Sequence, residues 1–221
     1  MLCKICNAPT IAIEDKRNSW EFFHCKKCEF IFKNPKNYVS SDKELAQYNN
    51  HNNTIESTGY VEMFEKFMST TFEPYAESIS TVLEFGSGPG PVLSQLLKEK
   101  GFEVDIYDKY FSPTKVYEGK RYDLITSTEV LEHIEHPKEI FEFFAKHLNE
   151  NGLLAIMTQF HTNDIEDFKK WWYKNDPTHI CFFRPKSFEV LAEMSGFEVV
   201  KDDGIKSILL RTQTSFYKSQ D

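Results

Sequence analysis

The 221-residue chain has no apolar run approaching the ~18 residues that span a bilayer, and its 40% hydrophobic and 27% charged residues describe a globular chain in water. It lacks the apolar core of a secretory signal, because Met1 to Cys6 leads straight into a cysteine pair, so the expected compartment is cytoplasmic. It lacks an excess of positive charge. Lys and Arg number 26 against 34 Asp and Glu, a formal −8, which opposes the clustered cations that phosphate binding draws on. Residues 1–38 do carry seven basic against four acidic side chains, leaving −11 elsewhere. Four thiolates on one divalent ion would cut that local +3 to about +1. Nucleic acid is therefore a disfavoured partner. No internal repeat or low-complexity tract is present, and the length holds one full-sized domain with a small accessory piece. Nothing in the sequence speaks to oligomeric state.

What is present begins with cysteine. Cys3-x-x-Cys6 and Cys25-x-x-Cys28 lie 18 residues apart, the spacing of two knuckles closing a four-cysteine zinc site. Iron in a rubredoxin-like site would use the same thiolates. A closed shell of four sulfurs leaves no open coordination position, so the ion is assigned to folding. Ile11 to Ile13 and Trp20 to Phe23 supply short strands for the excursion between knuckles. His24 is expected at the surface, and Cys181 reads as a small core residue. The expected domains are a zinc ribbon over 1–38, a helical linker or lid over 39–80, and the main α/β domain over 81–221. Placed just ahead of that domain, the ribbon is expected to cover the mouth of its site.

The main domain opens with VLEFGSGPG from Val82 to Gly90. Two apolar residues and an acid run into Gly86, Gly88 and Gly90, the pattern of a buried strand breaking into a tight turn where a backbone approaches a ligand closely. Val92, Leu93, Leu96 and Leu97 give the following helix its apolar face. Glu103 to Asp108 then alternates as a strand ending in an acid, placed to accept from both hydroxyls of a ribose. Glu84 and the three glycines, Asp108 and the run YDLITSTEVLEH (Tyr122 to His133) resemble the class I S-adenosylmethionine-dependent methyltransferases over roughly Thr81 to Thr212. The G-x-G-x-x-G fingerprint of dinucleotide-binding dehydrogenases is absent. The resemblance implies a Rossmann-like doubly wound sheet and S-adenosylmethionine as cofactor. It places Glu84 at the methionine end, Gly86, Ser87, Gly88 and Gly90 beneath the cofactor, and Asp108 on the ribose, with Glu129 also at the cofactor site.

Only 14 residues separate Asp108 from Asp123, too few for a helix, a third strand and a second crossover. The expected sheet is therefore reduced, with strand order 2-1-4-5-7-6 in family numbering. The family's adenine-recognising acid has no counterpart, and Tyr110 or Phe111 is expected beside the base. Ser41 with Glu44 makes a capping box for a short helix through Tyr48. Tyr48, His51, Asn53, Gly59 and Tyr60 are similar to a motif of zinc-ribbon methyltransferases, from which Tyr48 or Tyr60 is expected to close over the cofactor. The aromatic stretch from Gln159 to Phe183, holding Trp171, Trp172, Tyr173, Asp176, His179, Phe182 and Phe183, reads as an acceptor pocket or lid, or else as satellite core.

The leading expectation is methyl transfer to a hydroxyl, or a carbon, of a small molecule, with His179 as base and His133 as second choice. Glu129-x-x-Glu132-His133, with a further His downstream, also resembles the divalent-metal motif of small-RNA 2′-O-methyltransferases and some ubiquinone-pathway O-methyltransferases, implying a second cation such as Mg²⁺ held by the carboxylates of Glu129 and Glu132 and by imidazoles, His133 among them. The competing readings are an RNA methyltransferase that uses its ribbon for substrate contact, and a non-catalytic scaffold whose ribbon binds a protein.

Overall fold

A computed structural model describes residues 1–49 and 54–213. His51 and Asn53 lie outside the described residues. Two sheets organise the chain. The larger has six strands: β4 (Thr81–Phe85), β5 (Glu103–Tyr107), β6 (Tyr122–Thr128), β7 (Leu148–Met157), β9 (Phe197–Asp202) and β10 (Ser207–Thr212). Their spatial order is β5-β4-β6-β7-β10-β9, the expected 2-1-4-5-7-6. The first four are parallel, and β10 runs antiparallel to both neighbours. No strand lies between Asp108 and Tyr122, as the short spacing requires.

Period-2 alternation decides what each face buries. Val82, Leu124, Leu153, Ala155, Met157 and Leu209 face one core; Leu83, Ile125, Leu154, Ile156, Ile208 and Leu210 face the other. On the first face pack α2 (Thr58–Thr71), through Phe64, Phe67 and Met68, and α3 (Val92–Glu99), through Val92, Leu93, Leu96 and Leu97. On the second pack α4 (Pro137–His147), through Phe141 and Phe144, and α6 (Pro185–Ser195), through Phe188 and Leu191. Proline opens both of these helices, and Gly196 ends α6 in the left-handed region at φ 74°. β7 begins five residues before the expected start at Leu153. Asn151, at φ 59°, and Gly152 sit inside it as an irregularity in the ladder instead of a turn ahead of it.

The smaller sheet is the ribbon, β1 (Ile11–Asp15), β2 (Trp20–His24) and β3 (Ile31–Lys33), completed by β8 (Cys181–Phe182) from the far end of the chain. Its alternation is as strict. Phe23, Phe32 and Cys181 join the core of α4 and α6, while Phe22, Ile31 and Phe182 face a satellite core shared with Phe168 and Tyr173. The stretch 159–183, with α5 (Ile165–Lys170), is therefore mainly the second layer of the ribbon. Phe168, Trp171, Tyr173 and Phe182 are consumed there, Phe160 and Phe183 pack on Phe188 of α6, and Trp172 is exposed. His24, expected outside, is buried and bonds Asn163 Oδ1 through Nε2 at 3.1 Å, because the same stretch covers that strand. A buried ion pair, Lys174 to Asp15 at 2.6 Å, pins the two layers together. Among the described residues no helix is long and apolar enough to cross a membrane.

Candidate active site

At the carboxyl ends of β4, β5 and β6 lies a cavity of about 470 Å³, within the ~300–1,000 Å³ of small-molecule sites. Glu84, Gly86, Ser87, Gly88, Gly90, Asp108, Tyr110, Glu129, Tyr48, Tyr60, His133 and His179 all line it. No residue of 1–38 does, so the ribbon stands behind one wall and does not cover the mouth.

The glycine turn forms one side. Gly86 and Gly88 adopt φ of +84° and +65°, which a side chain rarely tolerates, whereas Gly90 does not use the left-handed region. A Cβ on Gly86 would sit 2.2 Å from Val130 Cγ2; one on Gly88 would meet nothing and project into open space. Asp108 fastens the turn to β5. Its Oδ2 accepts from Gly88 N–H at 2.9 Å, and its Oδ1 accepts from Tyr110 and Phe111 N–H at 2.8 and 3.0 Å. A carboxylate offers about four acceptor positions, so one remains for a ligand.

At the floor, Glu84 is buried and its Oε2 has no hydrogen-bond partner; nor does Ser87 Oγ. Burial pushes the Glu84 carboxyl up to about 8. Buried polar atoms without partners are rare in folded proteins, and two of them facing one cavity mark where a polar ligand binds. These orphaned oxygens and the open space over Gly88 fit the amino-acid and nucleoside halves of the cofactor that the sequence resemblance implies.

Over the site lies α1 (Ser41–Tyr48). The expected capping box is not formed: Ser40 is the cap residue, without a side-chain bond. Glu44 instead turns into the cavity, accepting from Tyr110 O–H at 2.5 Å and Tyr48 O–H at 2.9 Å, with Lys109 Nζ at 3.4 Å. Glu44 was legible only as a cap, since its partner Tyr110 lies across the fold.

The opposite wall carries the acid–imidazole group. Glu129, at the end of β6, holds φ 54°, an uncommon backbone for a non-glycine residue and one that recurs at functional sites. Tyr173 is buried, and its hydroxyl bonds both Glu132 Oε1 at 2.5 Å and Glu129 Oε2 at 3.2 Å. Burial holds both carboxyls above the usual range, and the charge of Glu129 lifts Glu132 further. Glu132 Oε2 is a third buried oxygen without a partner. His133 donates from Nδ1 to Thr178 O at 3.0 Å, and His179 donates from Nδ1 to Tyr173 O at 2.7 Å. A carbonyl only accepts, so each neutral ring carries its proton on Nδ1 and its lone pair on Nε2. Burial and the neighbouring His133 lower His179 to about 3. Ligand atoms of Glu132, His133 and His179 lie within 4.8 Å of one another. Of the expected donors, Glu132, His133 and a further downstream histidine, His179, come together, while the Glu129 carboxylate is directed to Tyr173 and stands outside the group.

A family described as a methyltransferase domain matches residues 47–202. The chain belongs to that family. Among solved structures, the methyltransferase fold here is similar to the mitomycin 7-O-methyltransferase MmcR, with a TM-score of 0.54 and 12% identity over 78% of this chain. It is similar also to TnmH, with a TM-score of 0.50 and 13% identity over 62% of this chain. The aligned parts are 58% and 51% of those proteins' own lengths, and at such identities the likeness shows the fold. No curated protein matches the sequence.

A second cluster sits in the ribbon. Cys3 Sγ to Cys28 Sγ and Cys6 Sγ to Cys25 Sγ are each 3.5 Å, and Cys6 Sγ to Cys28 Sγ is 3.7 Å. Four sulfurs at ~2.3 Å from a tetrahedral ion stand about 3.8 Å apart, whereas a disulfide requires ~2.05 Å. All four are free thiols spaced to hold one ion.

Proposed function

We propose that this methyltransferase moves a methyl group from S-adenosylmethionine to a hydroxyl of a small molecule. The observation that carries the reading is the arrangement of a single cavity: Asp108 clasps the glycine turn, Glu84 presents an unpartnered oxygen at its floor, and two imidazoles face them. When bound, the cofactor supplies an electrophilic methyl on a sulfonium. Glu84 and Ser87 would hold its amino-acid end, the backbone of Gly86 to Gly90 its body and Asp108 its ribose, while Tyr60 and α1 with Tyr48 and Tyr110 exclude water. Displacement at a sulfonium asks mainly for alignment and dryness, so positioning supplies most of the rate.

The acceptor hydroxyl must lose a proton. His179 offers Nε2 in its neutral form at any physiological pH, but burial leaves it a weak base. The juxtaposition of Glu132, His133 and His179 supports a second reading of the same wall, in which a divalent cation lowers the proton affinity of the acceptor hydroxyl. We assign the four cysteines a structural zinc, residues 1–38 the ribbon, 39–80 the covering helices, and 81–221 the transferase domain.

The lining supports a small acceptor over RNA, since Lys109 is the one Lys or Arg side chain at the cavity among the described residues, too few cations to hold a polyanion. The test is calorimetry with S-adenosylmethionine, followed by incubation with methyl-labelled cofactor and a cell extract, with and without a mild chelator that spares the ribbon. Label in a small product lost on chelation supports transfer with a cation, and label retained supports transfer without one. Label in RNA, or no cofactor binding, overturns the proposal.

A further inference from the structure

The residues of the acceptor wall do not hold themselves in place. Tyr173 and His179 belong to a stretch that touches the ribbon at nearly every turn. Lys174 Nζ reaches Asp15, Asn18 Nδ2 reaches Asn175 Oδ1 at 3.1 Å, and β8 pairs with β3 through Phe32 and Cys181. Lys33, the last residue of β3, grips this stretch twice. Its backbone N–H donates to Ile180 O at 2.9 Å, and its Nζ donates to Pro177 O at 2.9 Å. His179 lies between those two points, and Ile180 N–H in turn donates to Glu132 O at 2.7 Å.

Lys33 is fully buried, and its ammonium is met by the Trp20 ring at 3.9 Å and by one carbonyl, with the Asp176 carboxylate of the same stretch attracting it and the Lys174 ammonium opposing it. Burying a cation is costly, and a well-packed apolar side chain of similar length commonly serves a core as well or better. Packing alone therefore gives no reason for lysine at this position, whereas the Nζ bond to Pro177 O, beside the main-chain bond to Ile180 O, does. We infer that Lys33 is a positioning residue of the methyltransferase site: from the ribbon, it fixes the Pro177–Ile180 segment so that His179 presents Nε2 to the acceptor. The inference deepens the proposed function and rests on the placement of His179 on the acceptor side. It gives the ribbon a task distinct from binding a polyanion or closing over the mouth.

The test compares Lys33→Met, which keeps the stem and removes the donor, with Lys33→Arg, which keeps a donor, in the full-length zinc-loaded protein. The readout is the ¹⁵N signature of the His179 ring, recorded without cofactor: the fraction of the Nδ1–H tautomer and the exchange protection of that proton. Calorimetry with S-adenosylmethionine is run in parallel, because the glycine turn and Asp108 lie on the other side of the cavity. For Lys33→Met we expect at least a tenfold loss of Nδ1–H protection and a mixed tautomer, with cofactor affinity within about twofold of the parent. Lys33→Arg is expected to restore most of the protection. An unchanged His179 signature in Lys33→Met, or an equal loss in Lys33→Arg, overturns the inference. If Lys33→Met does not fold, Trp20→Leu removes the aromatic face over the ammonium; it should loosen the same proton, and no change there overturns the inference too. Absence of cofactor binding by the parent protein would defeat the proposed function while leaving the His179 readout intact.

Discussion

Single side chains in this site are set by what surrounds them more than by what they are. Glu84 is an ordinary acid in sequence, yet burial at the end of β4 raises it to about 8, above its usual ~4.5. Its folded-state pKa is raised, so the protein without cofactor loses stability as pH rises from about 4.5 through about 8. A cationic amino group seated against Glu84 demands the charged form. Binding of S-adenosylmethionine at pH 7 should therefore release close to one proton. Calorimetry in buffers of different ionisation enthalpy measures that number, and Glu84→Gln should bring it near zero while weakening binding at least tenfold. Proton uptake, or no proton change, would contradict the role given to Glu84. The sequence made Glu84 legible because acid and glycines sit in one short segment. It did not reveal what Glu44, Tyr173 and His24 bond to, since those partners lie 66, 41 and 139 residues away along the chain.

Among elements, the turn after β4 is the most tightly specified. Gly86 combines a positive φ with a neighbour, Val130, that leaves no room for a methyl group. Gly86→Ala should lower the unfolding midpoint, since a strained backbone of this kind costs ~1–3 kcal/mol before any clash is relieved. It should also abolish cofactor binding, because relief requires the turn to move away from Asp108. Gly88→Ala carries the same positive-φ cost but meets no atom of the protein; it should lower the midpoint less than Gly86→Ala and still bind weakly, its methyl occupying ligand space. Thermal unfolding and calorimetry on both variants check the contrast, and identical behaviour would refute it. Strand order was legible for a related reason: the short link from Asp108 to Asp123 excludes a strand by geometry alone. The pairing of β3 with β8 was not, because two residues at Cys181 and Phe182 carry no periodicity of their own.

For the molecule as a whole, the boundary at residue 38 is a boundary in sequence more than in space. One core runs from Cys3, Cys25 and Cys28 through Phe32 to Phe141 and Phe188, and the other face of the ribbon shares Phe168 and Tyr173 with the stretch after β7. Stripping the proposed ion from the four cysteines with a strong chelator should therefore raise hydrogen exchange over 20–33 and 165–183 together. Exchange over 81–107 should change much less. Loosening confined to residues 1–38 would show that the ribbon folds on its own. The order in which the chain is made follows from the same architecture. Strands β1 to β3 leave the ribosome first, but the edge that seals them emerges with Cys181, on the order of ten seconds later at ordinary rates of synthesis. Throughout that interval β3 shows an unpaired, apolar edge, and the nascent chain is most open to a chaperone, or to mispairing with its neighbours on a polysome, before Cys181 and Phe182 have been translated.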